Sequence, residues 1–278
     1  MIWLLLFGGC QPEAPLPKGS VTNDIQTIES NGFTIPVFPT AAEQLGYARS
    51  RIANAKEEQT ALELVLIRFP QDTLFSALSR LDLAYLTLGT DYRLADPDTC
   101  RRALAHYRQI TRTYADLPGV CAKAYWYMGW IYSDLLGDKS RGIAMYQQVI
   151  DRYAAKWVTI ESTGSRFMRM VPERRGKTMT AHGHQNASWV DLALLEIVKN
   201  NPDPIQRQQV LIKLWSRKST GPAIGLALLS ALKSTKPHMN DTVAWMAREY
   251  IQQHANQKVL TRDIERIIVQ YKPMDKKK

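Results

Sequence analysis

The chain has 278 residues, 45% of them hydrophobic and 22% charged. That composition excludes wholesale disorder and a multi-span membrane protein, and 15 Gly with 14 Pro exclude a fibrous or low-complexity chain. The net charge of +10 is unevenly placed: residues 1–154 carry 15 Lys+Arg against 16 Asp+Glu, residues 155–278 carry 21 against 10. One half is close to neutral and the other strongly basic.

Met1 to Phe7 is apolar and runs into Gly8-Gly9-Cys10. The run is far too short to span a bilayer but suits the late part of a secretory signal. The small pair before Cys10 resembles a bacterial lipobox, which implies a lipidated Cys10 as the first mature residue. Phe7 stands where Leu is usual, no Lys or Arg opens the sequence, and a start codon farther upstream would supply that basic opening. Residues 1–10 are therefore expected to be signal and lipobox. Gln11–Ser20 contains three Pro, and residues 11–37 are expected to form an extended Pro-rich tether.

Beyond the tether, short segments recur. Thr113-Tyr114-Ala115 and Arg152-Tyr153-Ala154 lie 39 residues apart, and Arg68-Phe69-Pro70 is a third member. At that offset Ala103, Tyr107 and Ile110 fall on Gly142, Tyr146 and Val149, a pattern that lies on one helix face. Leu81–Tyr85 aligns with Trp126–Trp130 at an offset of 45, and Leu45-Gly46 precedes Glu58, the slot equivalent to Ala103 and Gly142. Helix pairs with this period predict an all-α solenoid, because one helical hairpin cannot cover its own apolar face and needs a neighbour stacked on it. Ala84, Gly129, Ala103 and Gly142 are expected at the closest helix crossings. Cys100 and Cys121 begin successive antiparallel helices, too far apart for a disulfide, and are expected to be free, partly buried thiols.

Met128-Gly129-x-x-Tyr132, then Gly137-Asp138, then Gly142-x-x-x-Tyr146-x-x-Val149 resembles the tetratricopeptide repeat, with Gly137 one residue late. Arg68-Phe69-Pro70 followed by Leu81-Asp82-Leu83-Ala84-Tyr85 is similar to the tetratricopeptide lipoproteins of the bacterial outer membrane, namely the D-type lipoprotein family of the β-barrel assembly machine or the tetratricopeptide cell-division coordinators. The resemblance covers residues 38–155. It implies a right-handed solenoid whose groove receives partner peptides, with Arg49, Arg80, Lys123 and Tyr127 as candidate partner-binding residues, and a membrane-tethered scaffold for envelope assembly at the periplasmic face of the outer membrane. Thr90–Asp98 is an extra polar loop inside the second repeat.

Residues 156–187 break the helical pattern. They are read as a basic loop or small hairpin, with Arg166, Arg169, Arg174, Arg175 and Lys177 as candidate contacts to an anionic surface. Helices return over 188–272 as a degenerate helical domain: Ser188 is a candidate N-cap, Trp189–Val198 is apolar nearly all round, Asn201–Pro204 is a turn, and Thr220 with Pro222 starts another helix. Val243, Met246, Ala247, Tyr250 and Ile251 mark one helix face, and Leu260, Ile264, Ile267, Ile268 and Tyr271 another. Trp189, Trp215 and Trp245 are expected in the core rather than as base-stacking platforms. Residues 273–278 form a basic tail.

Catalytic signatures fail. Gly176-Lys177-Thr178 lacks the Gly that opens a phosphate-binding loop, Val171 standing there instead. His182 and His184 have no further ligand at metal spacing. Glu161-Ser162 resembles the lytic transglycosylase pair without the segment that follows it there. No cofactor, metal or enzymatic activity is expected. The alternative to a scaffold is a basic helical module binding anionic lipid, glycan or nucleic acid, nucleic acid being disfavoured by secretion.

Overall fold

Short polar side chains start the helices, and the sequence supplies them at the right places. In the computed structural model, which describes residues 26–51, 54–89, 91–154, 188–217, 223–234, 241–255 and 258–269, each of seven helices begins with such a residue accepting a backbone N–H of its first turn. They are α1 (Ala41–Ser50, capped by Thr40), α2 (Ala55–Arg68, Asn54), α3 (Thr73–Leu86, Asp72), α4 (Pro97–Thr113, Asp96), α6 (Lys139–Tyr153, Asp138), α7 (Trp189–Asn200, Ser188) and α8 (Pro204–Ser216, Asp203). Thr40 accepts from the Glu43 amide, and its hydroxyl donates to the Glu43 carboxylate at 2.7 Å. The remaining helices are α5 (Pro118–Trp130), α9 (Ala223–Ser234), α10 (Asp241–Gln253) and α11 (Lys258–Ile268). The described residues are thus mostly helical.

One pair of strands precedes them. β1 (Thr27–Ser30) and β2 (Phe33–Pro36) are antiparallel, with Ile28 opposite Ile35. Asn31 and Gly32 make the two-residue turn, both with positive φ (51° and 78°), the twist that matches a hairpin. Ile35 is buried and β2 packs on α2. Gln44 closes the junction, donating to the Pro36 carbonyl and accepting from the Phe38 amide. The expected tether over 11–37 is therefore corrected at its C-terminal end. Residues 27–36 are ordered sheet, because an Asn-Gly turn between Ile28 and Ile35 lets that segment bury an apolar residue on α2.

Every helix packs on its chain neighbours, and each odd-numbered helix also packs on the next odd one: α1 on α3, α3 on α5, α5 on α7, α7 on α9 and α9 on α11. A single hydrophobic core runs along the described chain from Ile35 to Ile268. Gly129 and Gly142 lie at a close helix crossing as expected, and Ala84 and Ala103 are buried. A Cβ on Gly129 would strike the Tyr146 ring, and one on Gly142 would strike the Ser133 hydroxyl and come 2.9 Å from the Gly129 carbonyl. After α5, Ile131–Leu135 form a π-helical turn, with the Leu136 amide donating to the Ile131 carbonyl. Such a turn holds one extra residue, and it takes up the residue by which Gly137 is late. Gly137 (φ 69°) then reverses the chain into Asp138.

Ser188 caps α7 as expected, and α7 is buried nearly throughout. Trp189 is buried and packs against Trp126 with ring centroids 6.0 Å apart. Trp245 is a correction: it is 51% exposed. Val243, Met246, Ala247 and Tyr250 form the buried stripe of α10, and residue 245 falls off that stripe. The expected cap at Thr220, the hairpin within 156–187, the tail at 273–278 and Tyr271 lie outside the described residues. Among the described residues no helix is long and apolar enough to cross a membrane.

Candidate functional site

Three of the four residues expected to line a partner groove converge, but inside the protein. Arg49 on α1 donates through Nε to Asp82 Oδ2 on α3 at 2.7 Å. Lys123 on α5 lies close enough to both for Asp82 to favour its charge and Arg49 to oppose it. The three helices that carry this cluster are the consecutive odd-numbered ones, so their packing brings the charges together. Asp82 is 2% exposed, Lys123 1% and the Arg49 side chain 18%. Two cations thus share one buried carboxylate.

Aromatic rings wall the cluster. Tyr127, one turn after Lys123, is stacked on Tyr107 at 5.3 Å and sits 6.1 Å from Tyr85, and the Lys123 ammonium is 6.0 Å from the Tyr127 ring centroid. Burial lowers the Lys123 pKa from 10.5 to about 8, with Arg49 acting in the same direction and Asp82 against it. Burial also holds the Tyr107 and Tyr127 phenols well above their ordinary range, and the Asp82 charge adds to this. Both phenols therefore stay protonated. Lys123 and Tyr127 are covered, whereas Arg49 and Arg80 keep part of their surface in solvent. Arg80 belongs elsewhere: it donates through Nε to the Tyr114 hydroxyl at 2.9 Å, tying α3 to the end of α4. Cys10, Arg166, Arg169, Arg174, Arg175 and Lys177 lie outside the described residues.

A second buried ion pair was not foreseen. Asp191 on α7 is fully buried and accepts from Arg217 Nε at 2.5 Å. The same guanidinium reaches Ser188 Oγ at 3.4 Å and the Ala154 carbonyl at 3.5 Å. It therefore clasps both ends of the 155–187 segment. The sequence signal was a second acid on a mostly apolar helix: Glu196 has Lys199 three residues on and pairs with it, while Asp191 has no further cation on α7 and needs one from another element. Asp82, the acid of α3 that sequence reasoning also passed over, carries the same signal.

Cys100 and Cys121 are free, as expected, and fully rather than partly buried, and burial raises both thiol pKa values. Among the described residues no cluster of three His, Cys, Asp or Glu could hold a metal ion. Comparison with protein families, curated proteins and solved structures finds no match for this chain.

Proposed function

We propose that the chain is a non-catalytic, membrane-tethered interaction scaffold of the bacterial cell envelope, a tetratricopeptide-type right-handed solenoid that holds partner peptides along its odd-numbered helices. The observation that carries this reading is the packing order, in which each odd-numbered helix touches its even neighbours and the next odd helix. Stacked helical hairpins pack in that way, and such stacks offer a continuous face built from one helix of each pair. The buried Arg49–Asp82–Lys123 cluster fits the same reading as a bolt between three successive hairpins. Arg49 and Arg80, which keep solvent contact, remain the candidates for touching a partner. The lipobox-like Gly8-Gly9-Cys10 would supply the tether.

Two measurements test the two parts. A photo-crosslinking residue at Arg80 or Tyr85, both on α3, should give discrete adducts in intact cells, and one at the exposed Arg102 on α4 should not. Equal labelling from both helices would remove the groove. Mass measurement of the N-terminal peptide should show an acyl chain on Cys10. If Cys10→Ser stays in the membrane fraction and no acyl chain is detected, the tether is wrong. In a second reading the basic half grips an anionic lipid, glycan or nucleic acid, and half-exposed Trp245 favours lipid.

A further inference from the structure

Buried polar atoms that lack a hydrogen-bond partner are rare and costly, and each one asks for a bound water or ion. Two of them border the Arg49–Asp82–Lys123 cluster. Arg49 bonds Asp82 through Nε, while its Nη2 is buried with no hydrogen-bond partner among the described residues. A guanidinium set squarely on a carboxylate uses two nitrogens, so here one strong donor is left over. The Tyr107 hydroxyl is the second such atom. Its side chain has no exposed surface, its ring is stacked on that of Tyr127, and its oxygen is within electrostatic reach of Asp82.

The charges of the cluster are uneven as well. The charged groups that act on Lys123 are Asp82, which favours the ammonium, and Arg49, which opposes it. Burial lowers the Lys123 pKa to about 8, so the ammonium persists at neutral pH and two cations face one carboxylate. The rings of Tyr85, Tyr107 and Tyr127 wall the cluster, and like charges repel strongly where water is excluded. A water molecule would satisfy the donors and leave the extra charge. One monovalent anion satisfies the donors and cancels the charge. Asp82, Lys123, Tyr107 and Tyr127 are covered, and of these six side chains Arg49 and Tyr85 alone keep part of their surface in solvent. That enclosure fits an ion of atomic size better than a carboxylate side chain or a phosphate.

We propose that the cluster binds one chloride ion, held by Arg49 Nη2 and the Lys123 ammonium with the Tyr107 hydroxyl as a neutral donor, and that the ion ties α1, α4 and α5 together around Asp82 of α3. The ligand class follows from the donor set. Guanidinium and ammonium groups offer hydrogens and no lone pairs, so they receive an anion and not a metal ion. An ion that binds the folded chain and not the unfolded one stabilises it by mass action, so stability should track chloride itself and not merely ionic strength. The inference stands apart from the scaffold reading, because it concerns the packing between the helices and involves neither a partner peptide nor Cys10.

Urea unfolding of the full chain at pH 7 is compared in sodium chloride and in sodium gluconate, with total sodium fixed. The midpoint should rise with chloride, and well above the dissociation constant each tenfold step in chloride should raise the folded-to-unfolded ratio about tenfold. Lys123→Met keeps the Arg49–Asp82 pair and should lose this response, so its advantage over the wild type narrows as chloride is added. Tyr107→Phe deletes a single oxygen and should move the chloride dependence to about threefold to tenfold higher concentration. Arg102→Met, on the exposed face of α4, should respond as the wild type does. In crystals grown with bromide in place of chloride, the anomalous peak should lie beside Arg49 and Lys123. Equal midpoints in chloride and gluconate, a full response in Lys123→Met, or bromide found only elsewhere overturns the proposal. So does a response that Arg102→Met loses as fully as Lys123→Met, because the ion then acts at the surface. Should Lys123→Met fail to fold, Tyr107→Phe and the bromide position decide the matter.

Discussion

Replacing Lys123 by methionine should stabilise the protein, and the gain should shrink as pH rises. In the unfolded chain Lys123 holds its proton up to about 10.5, but in the folded chain only up to about 8. Between those values the unfolded chain binds more protons, so wild-type stability climbs with pH across that window. Below pH 8 the buried ammonium carries its full cost, about 3 kcal/mol for a fall from 10.5 to about 8. Met matches the length of the Lys stem, fits among Tyr85, Tyr107 and Tyr127, and leaves the 2.7 Å Arg49–Asp82 pair intact. Lys123→Met should therefore exceed the wild type by about 2–3 kcal/mol at pH 7, and by about 1 kcal/mol less at pH 9. Urea unfolding followed by far-UV circular dichroism at both values reads this directly. Measurement must stop short of pH 10, where the unfolded tyrosines ionise while the buried ones resist, and stability falls for that separate reason. Asp82→Asn is the opposing control. It strips the carboxylate that faces buried Lys123 and half-buried Arg49 and should cost about 3–5 kcal/mol. A Lys123→Met protein less stable than the wild type at pH 7, or a gap that does not move between pH 7 and 9, refutes the argument.

Arg217→Ala should destabilise by about 3–5 kcal/mol by leaving the Asp191 charge buried alone, and pairing it with Asp191→Leu should recover most of the loss in the same urea titration. Gly142→Ala should cost about 1–3 kcal/mol: Ser133 can rotate away from the new methyl, but the Gly129 carbonyl 2.9 Å from it belongs to the backbone of α5. A midpoint within error of the wild type would contradict that packing. Because one guanidinium touches both Ala154 and Ser188, the two lie within about 10 Å, a span that about four extended residues cover. Replacing residues 156–186 by a short Gly/Ser linker should then leave the helical spectrum and melting temperature nearly unchanged, and a collapse of either would show that the segment supports the fold. Cys100 and Cys121 should react with a thiol reagent only at the rate of unfolding, since both are buried with raised pKa values.

Helix starts and helix faces were legible because each has a local cause. Ser188 caps α7, and Val243, Met246, Ala247 and Tyr250 are buried along α10 as their spacing implies, whereas Pro204, read as the end of a turn, is the first residue of α8. The N-terminal hairpin was legible too, in Asn31-Gly32 between Ile28 and Ile35, but the prolines upstream drew the tether reading past it. The late position of Gly137 has a local counterpart in the π turn at Ile131–Leu135, which holds one extra residue. Trp245 departs from the core position expected of it. Its register on α10 puts it outside the buried stripe, and register decides.

Polar positions on the odd-numbered helices were harder, and the reason lies in how those helices are covered. Apolar periodicity marks the face that must be buried, and everything else defaults to solvent. A helix that also touches the next odd helix has a second covered face, and polar residues there go inside in compensating sets. Arg49, Asp82 and Lys123 come from three different helices, so no window of sequence contains the set. What the sequence does show is the imbalance on each helix taken alone: Asp82 in the apolar run of α3, Lys123 between Ala122 and Ala124 on α5, and Asp191 on α7. A charge stranded in an apolar helix is a statement about a neighbouring helix, because burying it unpaired would cost more than a domain of this kind can spare. On that rule Arg49 and Arg217 could have been sought as the partners of Asp82 and Asp191 before any coordinates were known. Trp245, whose register on α10 faces water, could have been set apart from the core on the same reading.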